Sequence, residues 1–207
     1  MTLVCPPHQV SLGFASCKIG TQGAKEIATY VATCAALASL NLEYNCIDPE
    51  GAMALADALS GDPTLTKLNL SEMNRSPEDR DDMGGILAIS SALKTNRHLT
   101  YLNLSTNNID VRAGTALAGA VAINGVLKHI DLTSNRLCGI SSHAGRQVGR
   151  YDAAAVRALA RTLETNLSLT SCDLRFNHIE DAEKQALRSA CGSRVPDAFL
   201  KSLCLKM

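Results

Sequence analysis

Two hydrophobic rhythms take turns along the chain. In the first, apolar and polar residues alternate, as in Leu37-Ala-Ser-Leu40-Asn-Leu42 and Leu99-Thr-Tyr-Leu102-Asn-Leu104. That period turns one face of a short strand to a core and the other to water. In the second, apolar residues fall three and four apart, as in Gly51-Ala-Met-Ala-Leu55-Ala-Asp-Ala-Leu59, the spacing of one helix face. The strand pattern Leu-x-x-Leu-x-Leu-x-x-Asn opens at Leu37 and returns, with substitutions, from Leu65, Leu99, Leu127 and Leu169. A degenerate copy begins at Gln9, where Leu12, Phe14 and Cys17 fall on the same template.

The helical halves keep register from copy to copy. Ile27, Leu55, Ile89, Leu117, Leu159 and Leu187 form one column, and Val31, Leu59, Leu93, Val121, Leu163 and Cys191 a second. Small residues Ala28, Ala56, Ser90, Ala118 and Ala160 follow the first column, which lets neighbouring helices approach closely. Arg188 breaks that row in the last helix, as an exposed terminal unit should. The pattern predicts a single α/β solenoid over residues 1–207, with six strand-plus-helix units starting near 9, 37, 65, 99, 127 and 169. Insertions near 71–84 and 139–151 account for the two long intervals.

Stacking decides whether such a chain folds. Ordering one unit costs roughly 40 kcal/mol at about 1.5 kcal/mol per residue, and its few leucines return only about 1.5 to 3 kcal/mol each. The recurring Asn45, Asn107, Asn135 and Asn177 are expected to turn the chain after each strand, their amides bonding buried backbone groups. Cys17 and Met73 depart from that ladder.

The unit LxxLxLxxNxI, followed by GAxALAxAL and LxxL, resembles the long, 28-residue class of leucine-rich repeat found in ribonuclease inhibitor, from about Gln9 to Ser193. Leu93-Lys-Thr-Asn-x-x-Leu99 and Leu163-Glu-Thr-Asn-x-x-Leu169 are similar to segments of tropomodulins, NLR-type receptors and Ran GTPase-activating proteins. The resemblance implies a right-handed horseshoe, a β-α superhelix with a parallel concave sheet and convex helices. It also implies a non-catalytic module that holds a protein partner on the concave sheet and rim loops. Two alternatives come with it: GTPase activation of the Ran-activator type, with Arg75 and Arg80 as the candidate arginines, and tropomodulin-like cytoskeletal binding.

Charge narrows the partners. With 20 basic and 20 acidic residues there is no global field to draw in nucleic acid or an anionic membrane. The start lacks a basic region followed by a long apolar one, and no stretch is long enough to cross a bilayer, so a soluble cytoplasmic protein is expected. The eight cysteines form no CxxC pair and read as reduced, buried thiols. Gly145-Arg-Gln-Val-Gly-Arg150 lacks the Lys of a phosphate-binding GxxxxGK(S/T) loop. His129 and Asp131 share a strand face but do not by themselves make a metal or proton-relay site. No nucleophile stands on a strand-to-helix elbow beside a base, so no enzyme, cofactor or metal is expected.

Recognition is left to the outward strand positions and the rim. The candidate partner-binding residues are Glu43, Tyr44, Lys67, Glu72, Tyr101, His129, Asp131, Asp173, Arg175 and Phe176. Tyr44, Tyr101, Arg175 and Phe176 come first, because interface hot spots favour aromatic and Arg side chains. The first insertion is acidic (Glu72, Glu78, Asp79, Asp81 and Asp82 against Arg75 and Arg80), the second Gly-rich and basic, and both are expected as solvated rim loops. Leu200, Leu203 and Leu205 restate the strand pattern near the end, and neither end shows a polar cap. An end-to-end self-association, or a piece of a larger protein, is therefore expected.

Overall fold

Parallel strands lie about 4.8 Å apart, whereas packed helices need about 8 to 10 Å, so a stack of strand-plus-helix units curves with its sheet inside. The computed structural model describes residues 10–61, 64–73, 81–143 and 146–192. Among them the strands are Ser11–Gly13 (β1), Ser39–Asn41 (β2), Lys67–Asn69 (β3), Tyr101–Asn103 (β4), His129–Asp131 (β5), Ile140–His143 (β6), Arg146–Gly149 (β7) and Ser171–Asp173 (β8). The helices are Gly20–Thr33 (α1), Pro49–Gly61 (α2), Gly84–Thr95 (α3), Val111–Ile123 (α4), Ala154–Thr165 (α5) and Asp181–Gly192 (α6). β1, β2, β3, β4, β5 and β8 form one parallel sheet in that order. The register runs unbroken from Leu12 through Leu40, Leu68, Leu102 and Ile130 to Cys172. The architecture is the expected β-α solenoid. Leu200, Leu203 and Leu205 lie outside the described residues.

One core runs the length of the stack. Leu40, Leu68, Leu102, Ile130 and Cys172 are buried under the sheet, and both helix columns are buried against them. The small-residue row Ala28, Ala56, Ser90, Ala118 and Ala160 is buried too, while Arg188 is exposed. Leu12 and Phe14 of the first unit are only half-buried.

Each unit turns the chain twice, and in most units an asparagine handles the turn. After the strand, Asn135 accepts from the N–H groups of Asn107 (2.9 Å) and Ile109 (3.0 Å) in the preceding unit and donates to the Leu104 carbonyl (3.0 Å). Asn45, Asn107 and Asn177 repeat the device. Ladder residues are flanked by backbone in the left-handed region: Ser16 and Lys18, Tyr44 and Cys46, Thr106 and Asn108, Phe176 and His178, with φ between 53° and 60°. L-residues pay about 1 to 2 kcal/mol each for that conformation, and the side-chain bonds to buried backbone offset it. At Met73, which has no amide, the main chain substitutes: the Ile47 N–H donates to the Met73 carbonyl at 2.6 Å.

A second ladder closes α3, α4 and α5. Asn96, Asn124 and Asn166 are buried C-caps; Asn124 accepts from Val126 (2.9 Å) and Leu127 (2.8 Å) and donates to the Leu93 carbonyl (2.7 Å) one unit back. Asn96 and Asn166 do the same. These are the asparagines of the Thr-Asn-x-x-Leu wording and its Ile123-Asn124 counterpart. They join repeat to repeat on the side away from the strand-end ladder.

Two expectations change. The cysteines are not uniformly buried thiols: Cys17 and Cys46 are exposed, Cys34 is disulfide-bonded, and Cys138, Cys172 and Cys191 are buried and free. Cys17 stands at the ladder position of the first unit, in a bend flanked by left-handed Ser16 and Lys18, and Cys46 sits in a left-handed bend. The second insertion is not a plain loop but an antiparallel hairpin, with Ile140 opposite Gly149 and His143 opposite Arg146. Glycine is required at its root, where φ is 72° at Gly139 and 116° at Gly149 and a Cβ on Gly149 would strike the Gly139 carbonyl.

Asn135→Ala should lower the stability read from urea unfolding by about 2 to 4 kcal/mol, because it strands several buried backbone groups at once. Ile123→Ala, at a side chain 62% exposed, should stay within about 0.5 kcal/mol. A thiol-labelling time course at mildly alkaline pH should show Cys17 and Cys46 reacting first. Burial pushes the Cys138 thiol up to about 11 and raises that of Cys172 further, so both should react only on unfolding.

Candidate binding face

Register brings the strand candidates together in two rows on the inner face. Ser39, Lys67, Tyr101, His129 and Ser171 form one row, and Asn41, Asn69, Asn103, Asp131 and Asp173 the next. Lys67 and His129 are exposed and Tyr101 between them is half-buried. The Tyr101 and His129 rings lie tilted at 45° with centroids 6.3 Å apart, within the range of a favourable aromatic contact. Burial, and after it the carboxylates of Asp131 and Glu43, raises the Tyr101 pKa. Its hydroxyl therefore stays a protonated hydrogen-bond donor at neutral pH.

The second row is half committed to the fold. Asn41, Asn69, Asn103, Asp131 and Asp173 each accept, through Oδ1, from the N–H two residues on, which bends the chain at the strand end. What remains for a partner is one polar atom per side chain. Asn69 gives its amide to Glu43 at 3.2 Å, and Asp173 is held by the Arg175 guanidinium at 2.7 to 3.1 Å. The Asn41, Asn69 and Asn103 members of this row were not singled out as candidates; their signal was the Asn-x-[polar] step repeated at each strand end.

The remaining candidates lie on the C-terminal rim of the sheet. Glu43, Glu72 and Arg175 are in the bends after their strands, and Tyr44 and Phe176 are at left-handed positions in those bends. Tyr44 is 41% and Phe176 72% exposed, and three repeats lie between theirs, so they do not form one aromatic cluster. Both insertions open from this same rim. Arg136, just before the second, pairs with Asp81, near the end of the first, at 2.6 Å. Arg75, Arg80, Glu78 and Asp79 lie outside the described residues. Among the described residues no group of three or more His, Cys, Asp or Glu could hold a metal, and no helix is long and apolar enough to cross a membrane.

The Leucine Rich repeat family profile matches residues 33–56 and 95–118. No curated protein sequence matches the chain. Among solved structures, the chain is similar to one titled leiomodin-1 actin-binding site 2, at 17% identity and TM-score 0.47, covering 89% of this chain and 79% of that one. A Caenorhabditis elegans tropomodulin C-terminal domain is similar at 16% identity and TM-score 0.41, over 70% of this chain and 92% of that one. The leucine-rich repeat-containing protein LegL7 from Legionella pneumophila is similar at 20% identity and TM-score 0.39, over 92% of this chain and 64% of that one.

The Asp173–Arg175 pair gives the face a pH signature. Burial alone would raise the Asp173 pKa, but the hydrogen bonds from the Arg175 side chain and backbone outweigh it and hold the carboxyl below its ordinary value. A depressed carboxyl contributes stability that is complete above the unfolded-state value, about 4, and is lost as pH falls through the folded one. Arg175→Ala should therefore cost stability at neutral pH, by about 1 kcal/mol for a pair that is partly open to solvent. Urea midpoints of the two proteins should converge as the pH is taken from about 5 towards 2.

Proposed function

From the premise that this chain is a leucine-rich repeat protein of the ribonuclease-inhibitor-like type, we propose that it is a non-catalytic module that binds a protein partner on its inner sheet face. The observation that carries the reading is the row Lys67, Tyr101 and His129. These three large side chains stand side by side on register-locked strands, on the sheet face that is turned away from the core. A cation, a phenol donor and an imidazole on a rigid sheet suit a polar protein surface, since their backbones lose no further freedom on binding. Asp131 and Glu43 next to them supply the acceptors that set orientation. Arg175, Phe176, Tyr44, Glu72 and Asp173 form the rim of the same interface in this reading.

The neighbours' degree of likeness speaks to the fold alone, so it assigns no partner. Nothing among the described residues favours GTPase activation, whose candidate arginines lie outside them. A cytoplasmic setting belongs to the same proposal; the free thiols fit it, and the disulfide at Cys34 is the feature that weighs against it.

Affinity capture from the source cell, followed by calorimetric titration of the captured protein, tests the reading. Tyr101→Ala and His129→Ala should each weaken binding about tenfold or more with an unchanged melting curve, and Lys67→Ala should lower the association rate most at low salt. Sedimentation of the same samples registers self-association separately. Full affinity in all three variants would remove the inner face as the site.

A further inference from the structure

The basic hairpin is anchored more firmly than a spacer needs to be. Glu183, in the first turn of α6, occupies a helix position that is Gly23, Gly51, Gly85, Ala113 and Ala155 in the earlier units. At Gly51 and Gly85 a side chain would run into the preceding helix: a Cβ on Gly51 would lie 3.0 Å from that of Ala24 and one on Gly85 would strike that of Ala52. In the last unit the position carries a buried carboxylate instead. Tyr151, just past the hairpin, donates its hydroxyl to Glu183 Oε2 at 2.9 Å, and the Arg157 guanidinium of α5 donates to Oε1 at 2.8 Å. At the hairpin itself, Gln147 Nε2 stands 3.4 Å from His178 Nδ1 in the last bend. The backbone contact of Gly139 with Gly149 closes the root.

The surface so anchored is open. All four residues of β7 are exposed, and Val148 is 56% exposed. The neighbouring arginines Arg136, Arg157 and Arg175 are each ion-paired. Arg146 and Arg150 make no ion pair among the described residues. Residues 139–150 contain no acidic side chain and no proline. A two-stranded sheet has an outer edge on each strand, with N–H and C=O groups directed outward along it, and proteins use charge there to decide what pairs. Arginine at the β7 edge disfavours a second copy of the same hairpin, because like charges would face each other, and favours a strand of opposite sign.

We propose that the β6–β7 hairpin docks an acidic, extended segment of a partner protein, which adds a strand along the edge of β7 and pairs its carboxylates with Arg146 and Arg150. Val148, on the same face as Arg146, gives that segment an apolar contact. This surface is separate from the inner sheet face, and the two stand or fall independently.

The test uses the full chain and fluorescein-labelled peptides of about ten residues, the length of a generous added strand. Three peptides alternate Thr with Glu, Gln or Lys. Fluorescence anisotropy should show saturable binding of the Glu peptide, weakened about tenfold by raised salt, and binding of the Gln and Lys peptides at least about tenfold weaker. Arg146→Glu with Arg150→Glu should abolish binding, and the milder Arg146→Gln with Arg150→Gln should weaken it about tenfold, with circular dichroism confirming that each variant is folded. Tyr101→Ala should leave it unchanged. Equal binding of the three peptides, full binding by the folded charge variants, or loss of binding in Tyr101→Ala would overturn the proposal. So would a dimer in sedimentation that the Arg146→Glu, Arg150→Glu variant dissolves.

Discussion

The fold depends on buried amide side chains that satisfy backbone groups the solenoid cannot pair by itself. Each repeat reverses its chain twice against a continuous apolar core, and at each reversal several N–H and C=O groups lose both water and regular secondary structure. Such groups cost about 1 to 3 kcal/mol each when left unpaired in the interior. Asparagine answers the need because one planar side chain both accepts and donates, so it can bind its own bend and the adjacent repeat together. Asn135 links to Asn107, Ile109 and Leu104, and Asn124 to Leu93 and Asn96, on opposite sides of the core. Where both asparagines are present, the two ladders tie a repeat to the one before it at both turns. They also explain how bulky residues such as Tyr44 and Phe176 come to stand in the left-handed backbone region.

That arrangement leaves a restricted set of atoms for recognition. The inner row that begins with Asn41 spends one oxygen per residue on the strand-end bend, and the threonines before the strands, Thr66, Thr100 and Thr170, spend their hydroxyls on the preceding repeat. The row containing Lys67, Tyr101 and His129 is the stretch of inner face where large side chains remain uncommitted to such turns. Rigidity and exposure coincide there, and this is why the inner face is the better candidate than the convex helices. The convex side carries scattered charges on a surface of small residues, such as Thr115 and Gly119 of α4.

The two insertions break the periodicity, and at each the structure finds a different repair. The first falls at Met73, where the ladder amide is missing and a main-chain carbonyl takes over its role. The second separates β5 from α5, and Glu183 fills the space beside it with a carboxylate held by Tyr151 and Arg157, both hydrogen bonds lowering its pKa. A buried charge is tolerated only with such partners. Asp81, near the end of the first insertion, pairs with Arg136, just before the second, across the intervening repeat.

The sequence by itself determined the repeat, the strand and helix halves, the pairing register and the composition of both core columns. Hydrophobic periodicity is local, and a stack of like units has few ways to bury it. The strand-end asparagines were legible for the same reason. The helix-end asparagines were visible in Leu93-Lys-Thr-Asn96 but had no evident role, since their partners lie one repeat away in space. Only the tertiary structure decided that the second insertion is a hairpin, that Asp173 is tied to Arg175, that Glu183 is buried against Tyr151 and Arg157, and that the Tyr101 ring leans on His129. Those facts depend on which side chains compete for the same neighbour, and that competition exists only once the repeats are stacked.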